Sequence, residues 1–226
     1  MNNSNRNQRI SFDVFELLAK SFVKPLHYFA VSQRRAKRIS HHLSSLLPCN
    51  QSCTGLDVGC GNGAIANNIQ SICPHIKVTG VDVLVRRDAE IDVTEFDGKQ
   101  LPFENKSYDF VVLVDVLHHT NNPAILLEEC VRVSRQFILI KDHFCESSWD
   151  IARLRFMDWV GNRAYNVSLP YNYLKYGDWE KLYQTVNLVC EVKVSKLNLY
   201  PQPFSLLFDS SLHFIAKLAV PQDTKT

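Results

Sequence analysis

The run Leu56-Asp57-Val58-Gly59-Cys60-Gly61-Asn62-Gly63-Ala64 decides how this chain folds. An apolar stretch closes on an acid, three glycines follow at alternate positions, and a helical pattern starts at about Ala64. Alternating glycines let the backbone turn tightly and let a ligand press on the main chain where a Cβ would clash. A strand, a glycine-rich turn and a helix with free amides at its start make a pocket of the nucleotide-binding type.

Working outward, strand and helix signals alternate. Gly55–Val58 reads as a strand, Ala64–Cys73 as a helix stopped by Pro74, and Lys77–Val83 as a second strand holding Asp82. Ile91–Val93 gives a short third strand. The continuous apolar run Phe110–Val116 gives a fourth, buried on both faces as parallel strands are. Pro123–Val133 is a helix with proline in its first turn, and Phe137–Ile140 a fifth strand. Helical patches follow from Trp149 to Val160 and from Tyr176 to Leu188, then two closing strands at Val189–Leu197 and Leu212–Leu218. Only seven residues, Leu84–Glu90, separate the second and third strands, too few for a crossover helix. The alternation predicts an α/β fold: a doubly wound, mostly parallel seven-stranded (Rossmann-like) sheet. Before it, helical spacing from Phe12 to about Leu47 predicts an N-terminal helical cap.

The chain has 226 residues and a net charge of +2, so no strong overall field points to nucleic acid or membrane. The charge is uneven. Residues 1–50 hold eight Lys or Arg against Asp13 and Glu16, a net of +6, which leaves −4 for the rest. Seven scattered cysteines without a C-x-x-C pair read as reduced thiols. With no apolar leader and no run of about 18 apolar residues, the expected location is the cytoplasm.

Four landmarks extend the opening motif. Asp57-x-Gly59-x-Gly61-x-Gly63 is the first, and Gly80-Val81-Asp82-Val83 the second. Asp97-Gly98-Lys99-Gln100-Leu101-Pro102-Phe103 with Ser107-Tyr108-Asp109-Phe110-Val111-Val112 is the third, and Asp115-Val116-Leu117-His118-His119 the fourth. In this order they resemble the class I methyltransferases of the methyltransferase type 11 group, most closely over residues 54–143. The resemblance implies S-adenosyl-L-methionine as cofactor. It implies a methyltransferase domain over residues 51–226, with a substrate-side insertion at about 144–180, behind a tail and basic helical cap at 1–50.

The resemblance also assigns roles. Gly59, Cys60, Gly61 and Gly63 close on the methionine and ribose parts, and Asp57 orients this loop or meets the ammonium group. Asp82, 19 residues after Gly63, takes the ribose hydroxyls. Val83 and Leu84 follow it, where "D-x-S" is common in the family. Asp97 or the Gly98 amide addresses the adenine edge, with Asp92 as the alternative. Asp115 and Leu117 face the crevice at the carboxyl end of the fourth strand.

Methyl transfer from a sulfonium needs alignment and, for a hydroxyl or carbon acceptor, a base. His118 and His119 follow the fourth strand, and Lys141-Asp142-His143 the fifth. His143 is the leading candidate base, and Lys141 with Asp142 reads as a surface pair. Asp115, His118, His119, Asp142, His143 and Cys145 are metal-capable types, but no tight ligand spacing supports a metal, so none is expected. Aromatic residues crowd the substrate side, among them Phe144, Trp149, Phe156, Trp159, Tyr165, Tyr173, Tyr176 and Trp179. They suit a small apolar or lipid-like acceptor, methylated on oxygen or carbon, and equally suit a core. The basic stretch Ser32–Leu47 reads as a solvated face, with peripheral membrane contact as its alternative use. No nucleic acid is expected as partner, and the oligomeric state stays open. The rival readings are a nucleotide-dependent oxidoreductase, a non-catalytic methyltransferase-like partner protein and an RNA methyltransferase.

Overall fold

The computed structural model describes residues 32–162, 172–202, 205 and 212–221. The expected helices between Phe12 and Ala30, and Tyr165 with the polar turn at 166–171, lie outside the described residues. The element order is α1 (Gln33–Ser44), β1 (Cys53–Val58), α2 (Ala64–Ile72), β2 (Ile76–Asp82), β3 (Val93–Glu95), β4 (Tyr108–Val114), a 3-10 turn (Leu117–His119), α3 (Pro123–Val133), β5 (Ser134–His143), α4 (Ser148–Asn162), α5 (Tyr176–Thr185), β6 (Val189–Ser195) and β7 (His213–Ala219).

The seven strands form one sheet in the order β3-β2-β1-β4-β5-β7-β6. Strands β1 to β5 pair in parallel, and β7 runs antiparallel to both β5 and β6. This is the doubly wound, mostly parallel sheet that the alternation predicts.

Strand periodicity divides the core. Phe110 and Val112 point to one face with Val78, Leu139 and Ile215, and α1 and α2 cover it with Ile39, Leu43, Ala66 and Ile69. Val111 and Leu113 point to the other with Leu56, Val58, Ile138 and Phe214, covered by Leu126, Leu127 and Cys130 of α3 and Trp179 of α5. Both faces of β4 are therefore dry, which is why its sequence is an unbroken apolar run. Asn122 caps α3 by accepting from the Ala124 amide (3.1 Å), and Pro123 takes the first position, where no amide partner is lost.

Three expectations need correction. Strand β3 starts at Val93, because Ile91 is used to pack over Gly63 and Gly80. Strand β5 runs on through Lys141, Asp142 and His143, which pair with Ile215, Phe214 and His213 of β7. Those three residues are strand, and Lys141 and Asp142 are fully buried, so they are no surface pair. Cys49 and Cys73 form a disulfide between the end of the α1 segment and the end of α2, while the other five cysteines are free. Among the described residues no helix is long and apolar enough to cross a membrane.

Candidate active site

Two features meet at the carboxyl ends of β1, β2, β4 and β5, where an open parallel sheet presents ligands. The first is the glycine loop. Gly59, Gly61 and Gly63 all have positive φ, at 70°, 61° and 78°. A Cβ on Gly59 would also stand 2.6 Å from Val116. The Gly59 amide bonds the Val81 carbonyl at 2.7 Å, which locks the turn to the end of β2.

Asp82 ends β2 beside this loop. Its carboxylate accepts from the Gly61 amide at 2.7 Å and the Leu84 amide at 3.1 Å. Asp82 thus sets the shape of the loop as well as lining it. Behind it, Asp57 is almost fully buried, and burial, with the Asp82 charge adding to it, pushes its carboxyl up to about 7. The same causes, burial first, keep the Cys60 thiol protonated. Val83 and Leu84, which follow the end of β2, are each 58% exposed. Leu84–Glu90 contains no helix, as its length predicts. Gly98 (φ 79°) comes up beside Val83, while Asp97 spends one oxygen on the Lys99 and Gln100 amides, both at 2.8 Å.

The second feature is a buried polar cluster. Strand β4 stops at Val114, and Asp115 turns out of it in the left-handed conformation (φ 56°). Its carboxylate takes Arg35 from α1 and the Lys141 ammonium, the latter at 2.5 Å. Burial opposes its charge, but these two cations hold Asp115 well below the usual carboxylate range. Leu117 is buried in the core, so only its backbone is available to a ligand.

His118 donates from Nδ1 to Asp142 at 2.6 Å. Burial works against its charge, yet the Asp142 carboxylate lifts His118 to about 9. His119 is pushed down by burial and by His118. His143 is pushed down by burial and by Lys141, whose Nζ lies 3.4 Å from its Nε2. At neutral pH His118 is thus a cation, and His119 and His143 are neutral imidazoles. Lys141 Nζ also meets His213 at 3.2 Å.

The sequence places His118, His119 and His143 near one another, and the structure brings them together with Asp115. It also adds Arg35, Lys141, Asp142, His213 and, from α4, Asp158. Arg35 lies 80 positions from Asp115, and no local pattern marks that contact.

Residues 56–136 match the family model described as a methyltransferase domain. Over this stretch the chain is similar to methyltransferases of the type 11 group. One curated methyltransferase relative is the 27-O-demethylrifamycin SV methyltransferase of Amycolatopsis mediterranei (strain S699). It is 26% identical over 144 residues, 55% of this chain and 53% of that protein. The chain therefore spans about half the length of this relative. Among solved structures, a SAM-dependent methyltransferase of Aquifex aeolicus has the same fold (TM-score 0.57, 14% identity, 87% of this chain and 94% of that one). So does the cyclase SpnF (TM-score 0.60, 12% identity, 82% of this chain and 81% of that one). A methyltransferase fold thus also carries a protein named as a cyclase, and function has to be argued from the site.

Proposed function

We propose that this protein transfers a methyl group from S-adenosyl-L-methionine to oxygen or carbon of a small, apolar acceptor. The observation that carries the reading is the glycine loop over the buried Asp57. A carboxyl raised by burial lacks a cation, and the cofactor's ammonium group is one. Gly59, Gly61 and Gly63 leave room for a ligand on the backbone. Asp82 has the acceptor chemistry for ribose hydroxyls, Val83 and Leu84 offer an apolar surface to adenine, and the Gly98 backbone or Asp97 lies at its edge. The bound cofactor supplies an electrophilic methyl group, and the protein supplies alignment.

Preference for oxygen rests on two supports. The rifamycin methyltransferase relative is named for an O-methylation substrate. The cluster beyond the loop also holds neutral imidazoles, and His143 is the base we assign. Burial and then Lys141 keep it uncharged, and Asp142 lies 3.3 Å from its Nδ1. The apolar preference is supported by α4, whose Trp149 (67%) and Phe156 (52%) are largely exposed.

Titration calorimetry with S-adenosylhomocysteine, and NAD as control, tests the assignment. We expect micromolar binding of the first and none of the second, with Asp82→Ala weakening it by at least about tenfold. Equal binding of both, or of neither, would overturn the reading. With an acceptor in hand, His143→Ala should slow turnover while leaving S-adenosylhomocysteine affinity intact. An unchanged rate removes the base role.

A further inference from the structure

The 3-10 turn after β4 sets two adjacent imidazoles side by side, with ring centroids of His118 and His119 4.1 Å apart. His118 is 2% exposed, and its Nδ1 is already committed to Asp142. Its Nε2 is buried with no hydrogen-bond partner, and so is Nδ1 of His119. His118 Nε2 faces Asp158 of α4. One atom from each of the three residues falls in a group whose members lie within 4.8 Å of one another.

The His118 Nε2 to Asp158 Oδ2 separation is 3.6 Å, too long for a hydrogen bond. It is close to the spacing of about 3.4 Å between two ligands at about 2.1 Å from a tetrahedral ion. The remaining supports are those of a metal centre. A carboxylate on the far nitrogen of a ligating histidine fixes ring and tautomer, and Asp142 does this for His118. The Tyr173 hydroxyl donates to Asp158 and holds that carboxylate, while its ring stacks on His118. The cations Arg35 and Lys141 are engaged on Asp115.

We propose that His118, His119 and Asp158 form a binding site for one divalent transition-metal ion, with zinc the best fit. Two imidazole nitrogens and one carboxylate oxygen are a donor set of catalytic zinc, the ion taking the place of the His118 Nε2 proton, which is released to solvent, and three protein ligands leave a fourth position open. That position takes water or, on the reading of methyl transfer to oxygen, the acceptor's oxygen. The binding site itself stands on geometry and does not depend on that reading. Sequence spacing hides it, because the third ligand comes from a helix 39 residues past His119.

The test uses untagged full-length protein, stripped with chelator. Zinc is titrated by calorimetry, and cobalt by visible absorption. We expect one ion per chain with a dissociation constant of about a micromolar or tighter, and ligand-field bands for cobalt. Asp158→Asn, which keeps the shape of the side chain, and His119→Ala should each weaken zinc at least about tenfold. Circular dichroism checks that both variants fold. No stoichiometric binding, or undiminished binding by both folded variants, would overturn the site. S-adenosylhomocysteine binding by the wild-type protein, read in parallel, separates the two assignments. Its failure beside intact zinc binding sinks the function and leaves the metal site standing.

Discussion

Asp57 carries a cost that its neighbours do not relieve. Its carboxyl sits near 7 in the fold, against 3.8 ordinarily, because burial and then Asp82 disfavour the charge. The folded state therefore keeps its proton where the unfolded chain has lost it. Stability is highest below the unfolded value, falls as pH rises from about 4 to about 7, and stays reduced above that. At about 1.4 kcal/mol per unit, the loss is on the order of 4 kcal/mol. Asp57→Asn should remove this slope and be the more stable protein at pH 8, as urea unfolding at pH 5 and pH 8 would show. A ligand ammonium reverses the sign for binding. S-adenosylhomocysteine affinity should rise between pH 6 and pH 8 in the wild-type protein and stay flat in Asp57→Asn. A flat wild-type profile would place the ammonium elsewhere. The acid was legible in sequence as the residue closing an apolar strand. Its burial was not, because that depends on the β2 strand alongside and Asp82 at its end.

At the scale of elements, α3 does more than cover the sheet. Arg132 donates to the Leu101 carbonyl at 2.9 Å and the Phe103 carbonyl at 2.7 Å. Glu129, one turn earlier, accepts from the Leu101 amide at 2.9 Å. The two residues staple to the helix the loop that brings Gly98 beside Val83. Arg132→Ala should cost about 2 kcal/mol, since it strands two carbonyls that bonded a charged donor. It should also weaken S-adenosylhomocysteine several-fold without touching it. Urea unfolding and calorimetry on the one variant measure both. Lower stability with unchanged affinity would show that the loop holds its place without the helix. The apolar patterns located most elements within a few residues of their observed ends. They failed where polarity and position disagree: Lys141-Asp142-His143 reads as loop by residue type, and pairing with β7 makes it strand. Ile91 reads as strand by type, and the close approach of Gly63 and Gly80 turns it into a packing residue.

Across the whole molecule, the order of elements was legible because each strand and helix announces itself locally. The polar cluster was legible only in part, because its members arrive from separate stretches. Arg35 joins Asp115 across 80 residues, and His213 joins Lys141 across 72. The disulfide belongs to the same class of long-range fact. Counting cysteines suggests free thiols, but the packing of α1 on α2 brings Cys49 and Cys73 to a Cα separation of 4.7 Å, inside the range a disulfide spans. The bond closes a loop of 24 residues that contains β1 and the glycine turn. Such a closure removes unfolded-state entropy worth about 3 kcal/mol. Thiol titration of the denatured protein should therefore count five groups without reductant and seven with it. The reduced protein should unfold at lower urea, with its S-adenosylhomocysteine affinity largely kept, because neither cysteine lines the crevice. A count of seven in protein never exposed to reductant would mean that the pair stands as two thiols. The link between α1 and α2 would then rest on the apolar contacts of Ile39, Leu43, Ala66 and Ile69 and on the Ser40 hydroxyl donated to the Ile65 carbonyl at 3.2 Å.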